Sequence, residues 1–324
     1  MDLFSHALLP YLIGKSFKRK KEEIIAFVLG GIAPDIDIFL LWINYIYPNF
    51  FLLTHRGITH SLFFGFFAGM IVLKLSSFEK IRNKIQKYFD FRPIISKRTI
   101  AFAYAGVLIH LFLDYITTRG IPLLYPLTTQ KYSAEIFFYT DIYLTVLSLI
   151  TVIYLYKKPG QTNNAPKFLI IFLIVAAGLG AFRISEKTSA EKYFHNTGIR
   201  TYPTMDSSDW YAVREDNNRI EIYEYDPGTS PYNTTIQRLN IVPDGEKPDA
   251  ALLAAGLLPQ VKMFKWRAYT VAINAEFKNG TWALEYYDPL QRSMFRDISG
   301  TFRGFSRSFG SLNVTVIGND AVVS

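Results

Sequence analysis

A chain of 324 residues with a half-hydrophobic composition and positive mean hydropathy has room for two domains, one of them in a membrane. It contains no cysteine, which excludes thiolate metal sites, catalytic thiols and disulfides and leaves His, Asp and Glu as the ligand pool. The net charge of +8 does not point to nucleic acid, because Lys and Arg gather in short loops between apolar segments, as cytoplasmic anchors do.

In chain order, Leu3 to Ile13 reads as a half-length apolar helix; Met1 to Gly14 lacks the basic leader of a cleavable signal peptide and is too short to span. Five longer runs follow: Ile24 to Tyr47, Ile58 to Leu75, Thr99 to Thr117, Ile136 to Tyr156 and Phe168 to Ile184. Each is near the ~20 residues a spanning helix requires. Basic residues crowd Lys15 to Lys21, Lys74 to Arg98 and Lys157 to Lys167, which share the cytoplasmic side if the five runs alternate. Gly65 and Gly69 form a small-xxx-small face in the second run, suited to close helix packing.

After Ile184 charges, Asn, Pro and Gly return, and Arg219 to Tyr225 alternates as a half-buried strand does. Trp266 to Ala275, Trp282 to Tyr287 and Leu312 to Ile317 are further strand-like runs, with Asp226-Pro227-Gly228 and Asn279-Gly280 as turn signals and a helix near Ala250 to Leu257. Asn-x-Thr triplets at Asn233, Asn279 and Asn313 all fall here. The expectation is an α-helical polytopic membrane domain over residues 1–185, with about five membrane helices plus a short N-terminal half-helix, followed by a soluble β-rich extracytoplasmic domain over residues 186–324.

Four of the five histidines, His6, His55, His60 and His110, lie in the apolar half beside the acids of Pro34-Asp35-Ile36-Asp37. His110 and Asp114 sit at i and i+4 of one run, a spacing that lets an imidazole and a carboxylate share a metal ion. Counted at ~1.5 Å per residue, His6, Asp35 and His110 come out roughly 14–17 Å along their runs, and Asp114, His60 and Asp141 near ~22 Å, so one pocket can collect them all. Ionisable groups in such runs are expensive and face a cavity or a partner. The bland alternatives are a helix–helix hydrogen-bonded pair for His110 and Asp114, and interfacial groups for His55, Asp37 and His195. Arg56 and Arg119 are either headgroup anchors or guanidinium groups for a phosphate at the pocket mouth. Pro34 should break its helix just before Asp35.

The ordered array of His6, Pro34-Asp35-Ile36-Asp37, His55-Arg56-Gly57-Ile58-Thr59-His60-Ser61, His110-x3-Asp114 and Asp141, with Gly120 and Pro126, resembles the LexA-regulated membrane-bound metal-dependent hydrolase family (YdjM-like) over about residues 1 to 185. That family is itself distantly similar to zinc-dependent phospholipase C and the single-strand nucleases. The resemblance implies His6, Asp35, His60, His110 and Asp114 as metal ligands. A later His-x3-Glu set typical of the soluble enzymes is missing, which implies one or two ions rather than three.

The reading that follows is a multi-pass membrane hydrolase in which one or two divalent ions, Zn²⁺ by the donor set, activate water. Asp37 or Asp141 serves as general base or orients a ligating His, and Arg56 or Arg119 meets the headgroup of a lipid-linked phosphoester or other ester. Membrane lipids are the expected partners, and nucleic acid is not. Two rivals from other classes are a metal or proton transporter with a His/Asp relay, and a non-catalytic anchor that displays the C-terminal domain.

Overall fold

A computed structural model describes residues 1–47, 54–194, 198–228, 232–296 and 310–324. Contacts divide the chain into two units, one built from Met1–Trp42, described residues 54–185 and Met205–Ser207, the other from described residues 43–47, Glu186–Thr204 and Ser208–Ser324.

In the first unit four helices begin at a capping side chain, Asp2, Ser61, Ser96 and Asp141. Asp2 accepts the Ser5 amide at the start of α1 (Leu3–Ser16), and α2 (Lys21–Ile32) opens with Glu22 and Glu23 in its first turn. Pro34 ends α2, as expected, and the chain continues as a 3-10 turn over Pro34–Leu40; the single turn α3 (Ile43–Ile46) that follows is assigned to the second unit. A second 3-10 turn, Ile58–His60, leads into α4 (Leu62–Ser77), whose cap is Ser61. Then come α5 (Glu79–Gln86), α6 (Lys97–Tyr115) capped by Ser96, α7 (Ile142–Lys157) capped by Asp141, and α8 (Ala165–Tyr193).

Glycines set the spacing of the helices around α6. A Cβ at Gly30 would stand 1.8 Å from the Ala103 carbonyl oxygen, and one at Gly106 would stand 2.1 Å from that of Phe27, so α2 and α6 touch backbone to backbone. Gly31 in turn admits the His6 carbonyl of α1, where a Cβ would come within 2.3 Å. Gly65 and Gly69 lie against Val107, which makes the small-residue face of α4 its contact with α6.

The structure corrects the expectation of five spans. At 12, 16 and 16 residues, α2, α4 and α7 fall short of the ~20 needed, because Pro34, Ser61 and Asp141 cut the apolar runs that looked continuous. Among the described residues one helix, Gly160–Tyr193, is long and apolar enough to cross a membrane, while α4 and α5 reach that length only together, across a bend of 76°. The count of crossings that placed residues 186–324 outside the cytoplasm loses its basis with those spans.

The C-terminal region is β-rich. Among the described residues β1 (Ile199–Pro203), β2 (Trp210–Glu215), β3 (Arg219–Tyr225) and β4 (Tyr232–Gln237) form an antiparallel meander in chain order. A second sheet runs β5 (Leu239–Val242), β6 (Ala272–Lys278), β7 (Thr281–Tyr287), β8 (Ser311–Ile317) and β9 (Asp320–Val323). β5 is parallel to β6, and the crossover carries α9 (Asp249–Leu257) and α10 (Pro259–Arg267). α11 (Pro289–Arg296) follows β7. Asn279 and Gly280, both at positive φ, turn β6 into β7. The strand expected over Trp266 to Ala275 starts only at Ala272, because Pro259 opens a helix that runs through Arg267.

Candidate metal centre

Four polar side chains converge in the core of the helical unit. Asp35 comes from the 3-10 turn that Pro34 creates, His60 from the turn before α4, and His110 and Asp114 from one face of α6. One donor atom from each lies within 4.8 Å of those of the other three. His60 Nε2 and His110 Nε2 are 3.2 Å apart, and both are within 3.6 Å of Asp35 Oδ1 and of Asp114 Oδ2. His6 lies beside this set: its ring stacks on that of His110 at 3.7 Å, and its Nε2 is 3.4 Å from Asp114 Oδ1. His6, His60, His110 and Asp114 are buried, while Asp35, at 13% side-chain exposure, is the most open of the group.

The far side of each imidazole is held in turn. His110 Nδ1 meets the Gly31 carbonyl at 2.7 Å, a bond that exists because Gly30 and Gly106 let α2 and α6 close up. His60 Nδ1 lies 3.2 Å from Asp37 Oδ2. The Gly31 carbonyl fixes a proton on His110 Nδ1 and Asp37 draws one to His60 Nδ1, so with a cation between them both Nε2 atoms would present lone pairs to it alongside the two carboxylates. Asp37 also accepts from the Thr59 hydroxyl, the Arg56 amide and His55 Nδ1. Asp114 Oδ1 is bound by Arg56 at 2.6 Å and by the Met1 amino group, whereas Asp114 Oδ2 and both ring nitrogens of His6 are buried without a hydrogen bond.

Such a set of inward lone pairs, carboxylate oxygens and unsatisfied buried nitrogens suits a divalent cation. The electrostatics agree. Burial and the neighbouring His110 push His6 down to about 4. Burial also disfavours charge on His60, but Asp114, Asp35 and Asp37 outweigh it and raise that ring well above its ordinary value. Burial would raise Asp35 too, yet the surrounding imidazoles hold it below the usual carboxylate range. The field that favours a proton on His60 is the field that favours a metal ion.

The remaining predicted residues are placed as follows. Arg56 is buried with φ at 60°, a strained conformation for a side chain of that size; its guanidinium bridges Asp114, Thr117 and the Thr118 carbonyl and lies 4.1 Å from the centre of the Tyr139 ring. Arg119, also at positive φ, is half-buried 5.8 Å from the same ring. Asp141 is engaged elsewhere: it caps α7 and pairs at 3.1 Å with Arg183 of α8, which sequence reasoning passed over although a lone Arg in an apolar run was the signal. His55 sits on Asp37 as its partner, and His195 lies outside the described residues.

The sequence profile of the family described as YdjM inner membrane protein matches residues 1–188, a stretch that contains every side chain of the pocket. A curated relative, the inner membrane protein YbcI of Escherichia coli (strain K12), is 26% identical over 137 residues, which is 41% of this chain and 71% of the relative. No solved structure matches.

Proposed function

The chain belongs to the YdjM inner membrane protein family, and we propose that this member is a metal-dependent hydrolase that acts at the membrane on a phosphoester or other ester of a lipid-linked substrate. The observation that carries the reading is the facing pair of His60 Nε2 and His110 Nε2, each with its tautomer fixed from behind and each set against the oxygens of Asp35 and Asp114. Asp35, His60, His110 and Asp114 would hold the ion, with His6 alongside. When bound, a divalent ion such as zinc supplies Lewis acidity that lowers the pKa of water and polarises a phosphoryl or acyl oxygen.

The chain's own residues set up that chemistry. Asp37 holds the His60 ring in place, and three further groups, on His55, Arg56 and Thr59, hold Asp37. Arg56 fixes Asp114 through Oδ1 and leaves Oδ2 toward the imidazoles. With Arg56 buried in this way, Arg119 is the guanidinium that suits an anionic headgroup. The open side is that of Asp35, whose 3-10 turn carries the outward apolar side chains Ile38 and Phe39, surface that acyl chains would cover.

The family places the protein in a membrane. By the positive-inside rule, Lys157, Lys158 and Lys167 around the start of α8 would face the cytoplasm and residues beyond Tyr193 the opposite side. An impermeant thiol reagent on intact cells, applied to Asp320→Cys in this cysteine-free chain, tests that placement, and absence of labelling until lysis would overturn it.

Elemental analysis of detergent-purified protein, paired with hydrolysis of mixed phospho- and acyl-lipids after reconstitution, tests the function itself. Wild type should carry one or two equivalents of a divalent ion and release product, and His110→Ala should lose both. Identical background-level hydrolysis by the two proteins would refute the enzyme and favour a transporter or an anchor.

A further inference from the structure

One surface of the helical unit is not explained by the metal pocket. α5 turns 76° away from α4 at Phe78, and none of its residues is buried. Phe78, Ile81, Ile85 and Tyr88 recur at spacings of three and four residues, so they share one face of the turn that α5 continues. Phe78, Ile81 and Tyr88 are exposed, Tyr88 at 69%. Lys80 and Lys84 flank that face on one side and Arg82 on the other, while Glu79 lies opposite. From Glu79 to Arg98 the sequence carries seven basic side chains against two acidic ones, and Ile94 and Ile95 are exposed too.

A short helix with an apolar stripe, a basic rim and no fully buried residue has the composition of an element that lies in a membrane interface. We infer that α5 is such an element and docks flat on an anionic lipid surface, with Ile81 and its neighbours among the acyl chains and Lys80, Lys84 and Arg82 at the headgroups. Charge complementarity selects this occupant. Ile81 and Ile85 in the stripe separate it from a nucleic-acid surface, where Phe78 and Tyr88 could stack on bases but branched aliphatic side chains would have no use. The bend at Phe78 lets α5 lie along such a surface while α4 keeps its packing on α6. This inference does not depend on the hydrolase reading, because it uses no residue of the pocket.

The absence of cysteine makes the test direct. Full-length protein carrying Ile81→Cys, labelled with an environment-sensitive fluorophore, is placed in nanodiscs of zwitterionic lipid or of the same lipid mixed with phosphatidylglycerol; Glu79→Cys is the control on the opposite face. The Ile81 label should shift to the blue and be quenched by nitroxide-bearing lipid only when phosphatidylglycerol is present, and the Glu79 label should stay water-like. Adding Lys80→Gln and Lys84→Gln should reduce the docked-to-undocked ratio by about fivefold per lysine, on the order of 25-fold together, and high salt should do the same. These substitutions touch no buried contact, so folding is not at issue. A label at Ile81 that stays water-like in every lipid would overturn the proposal, as would a response to duplex DNA or RNA without one to phosphatidylglycerol.

Discussion

The two units solve opposite problems. The helical unit buries Arg56, His60, His110, Asp114, Asp141 and Arg183 and turns Phe39, Phe63, Ile71, Phe112 and Ile150 outward. The C-terminal unit buries Trp210, Ile220, Ile222, Leu284 and Val314 and turns Asp216, Glu246, Lys247 and Lys278 outward. Burying a charge costs several kcal/mol unless it is paired, and a large apolar surface is tolerated only beside lipid or a partner. The second unit is held mainly by apolar side chains packed in its core. The first gives up stability to keep ionisable groups together, which is the mark of a site.

The comparison breaks most sharply at the ligands. Asp114→Asn should remove the bound divalent ion and with it turnover, as read by elemental analysis and lipid hydrolysis, while the β-sheet circular dichroism of the C-terminal unit stays unchanged. Retention of full metal content would remove α6 from the site. Next in size, Leu284→Ala should cost about 2–5 kcal/mol in the unfolding of the C-terminal unit, because Leu284 is almost fully buried against the α9 side of its sheet, yet leave metal content alone. Loss of metal in that variant would show the two cores to be one cooperative structure.

Smaller effects sharpen the picture within the pocket. Asp37→Asn, which keeps the shape but weakens the hold on His60 Nδ1, should lower metal affinity roughly 10–100-fold in a chelator competition without unfolding the helices. A turnover loss with metal affinity intact would mean that Asp37 acts on substrate instead. Gly106→Ala should destabilise the helical unit by about 1–3 kcal/mol in thermal melts, because the new methyl would meet Phe27 and Gly31 backbone atoms at 2.1 and 2.7 Å. If Gly106→Ala were as stable as wild type, the backbone contact of α2 and α6 would not be what closes the His110–Gly31 bond.

Parts of this arrangement were legible because they depend on local rules. The i, i+4 spacing of His110 and Asp114, the break at Pro34, the Gly65/Gly69 face, the β3 alternation and the helix over Asp249–Leu257 each follow from a few adjacent residues. The five spans were misread because hydropathy averages over capping residues: Ser61 and Asp141 each start a helix inside a run that looks continuous. Asp141 was assigned to the pocket by counting depth along straight helices, and nothing near it in sequence announces its partner, Arg183, 42 positions away. The role of Gly30, Gly31 and Gly106 was equally hidden, since a glycine in an apolar run shows its use only when the backbone it touches is known.

The route by which the pocket draws on the chain bears on how the protein is made. Its ligands come from a 3-10 turn, a second 3-10 turn and the far end of α6, with His6 stacked on them from the first helix. No partial product of translation holds the whole set before Asp114 emerges. At roughly 5–20 residues per second, His6 and Asp35 wait on the order of 4 to 20 s for their partners. During that time the carboxylates and imidazoles of the nascent chain stay exposed, so a pocket able to hold an ion is completed late, at the closing of α6 on α2, and any ion it took would be set by local supply as much as by the pocket.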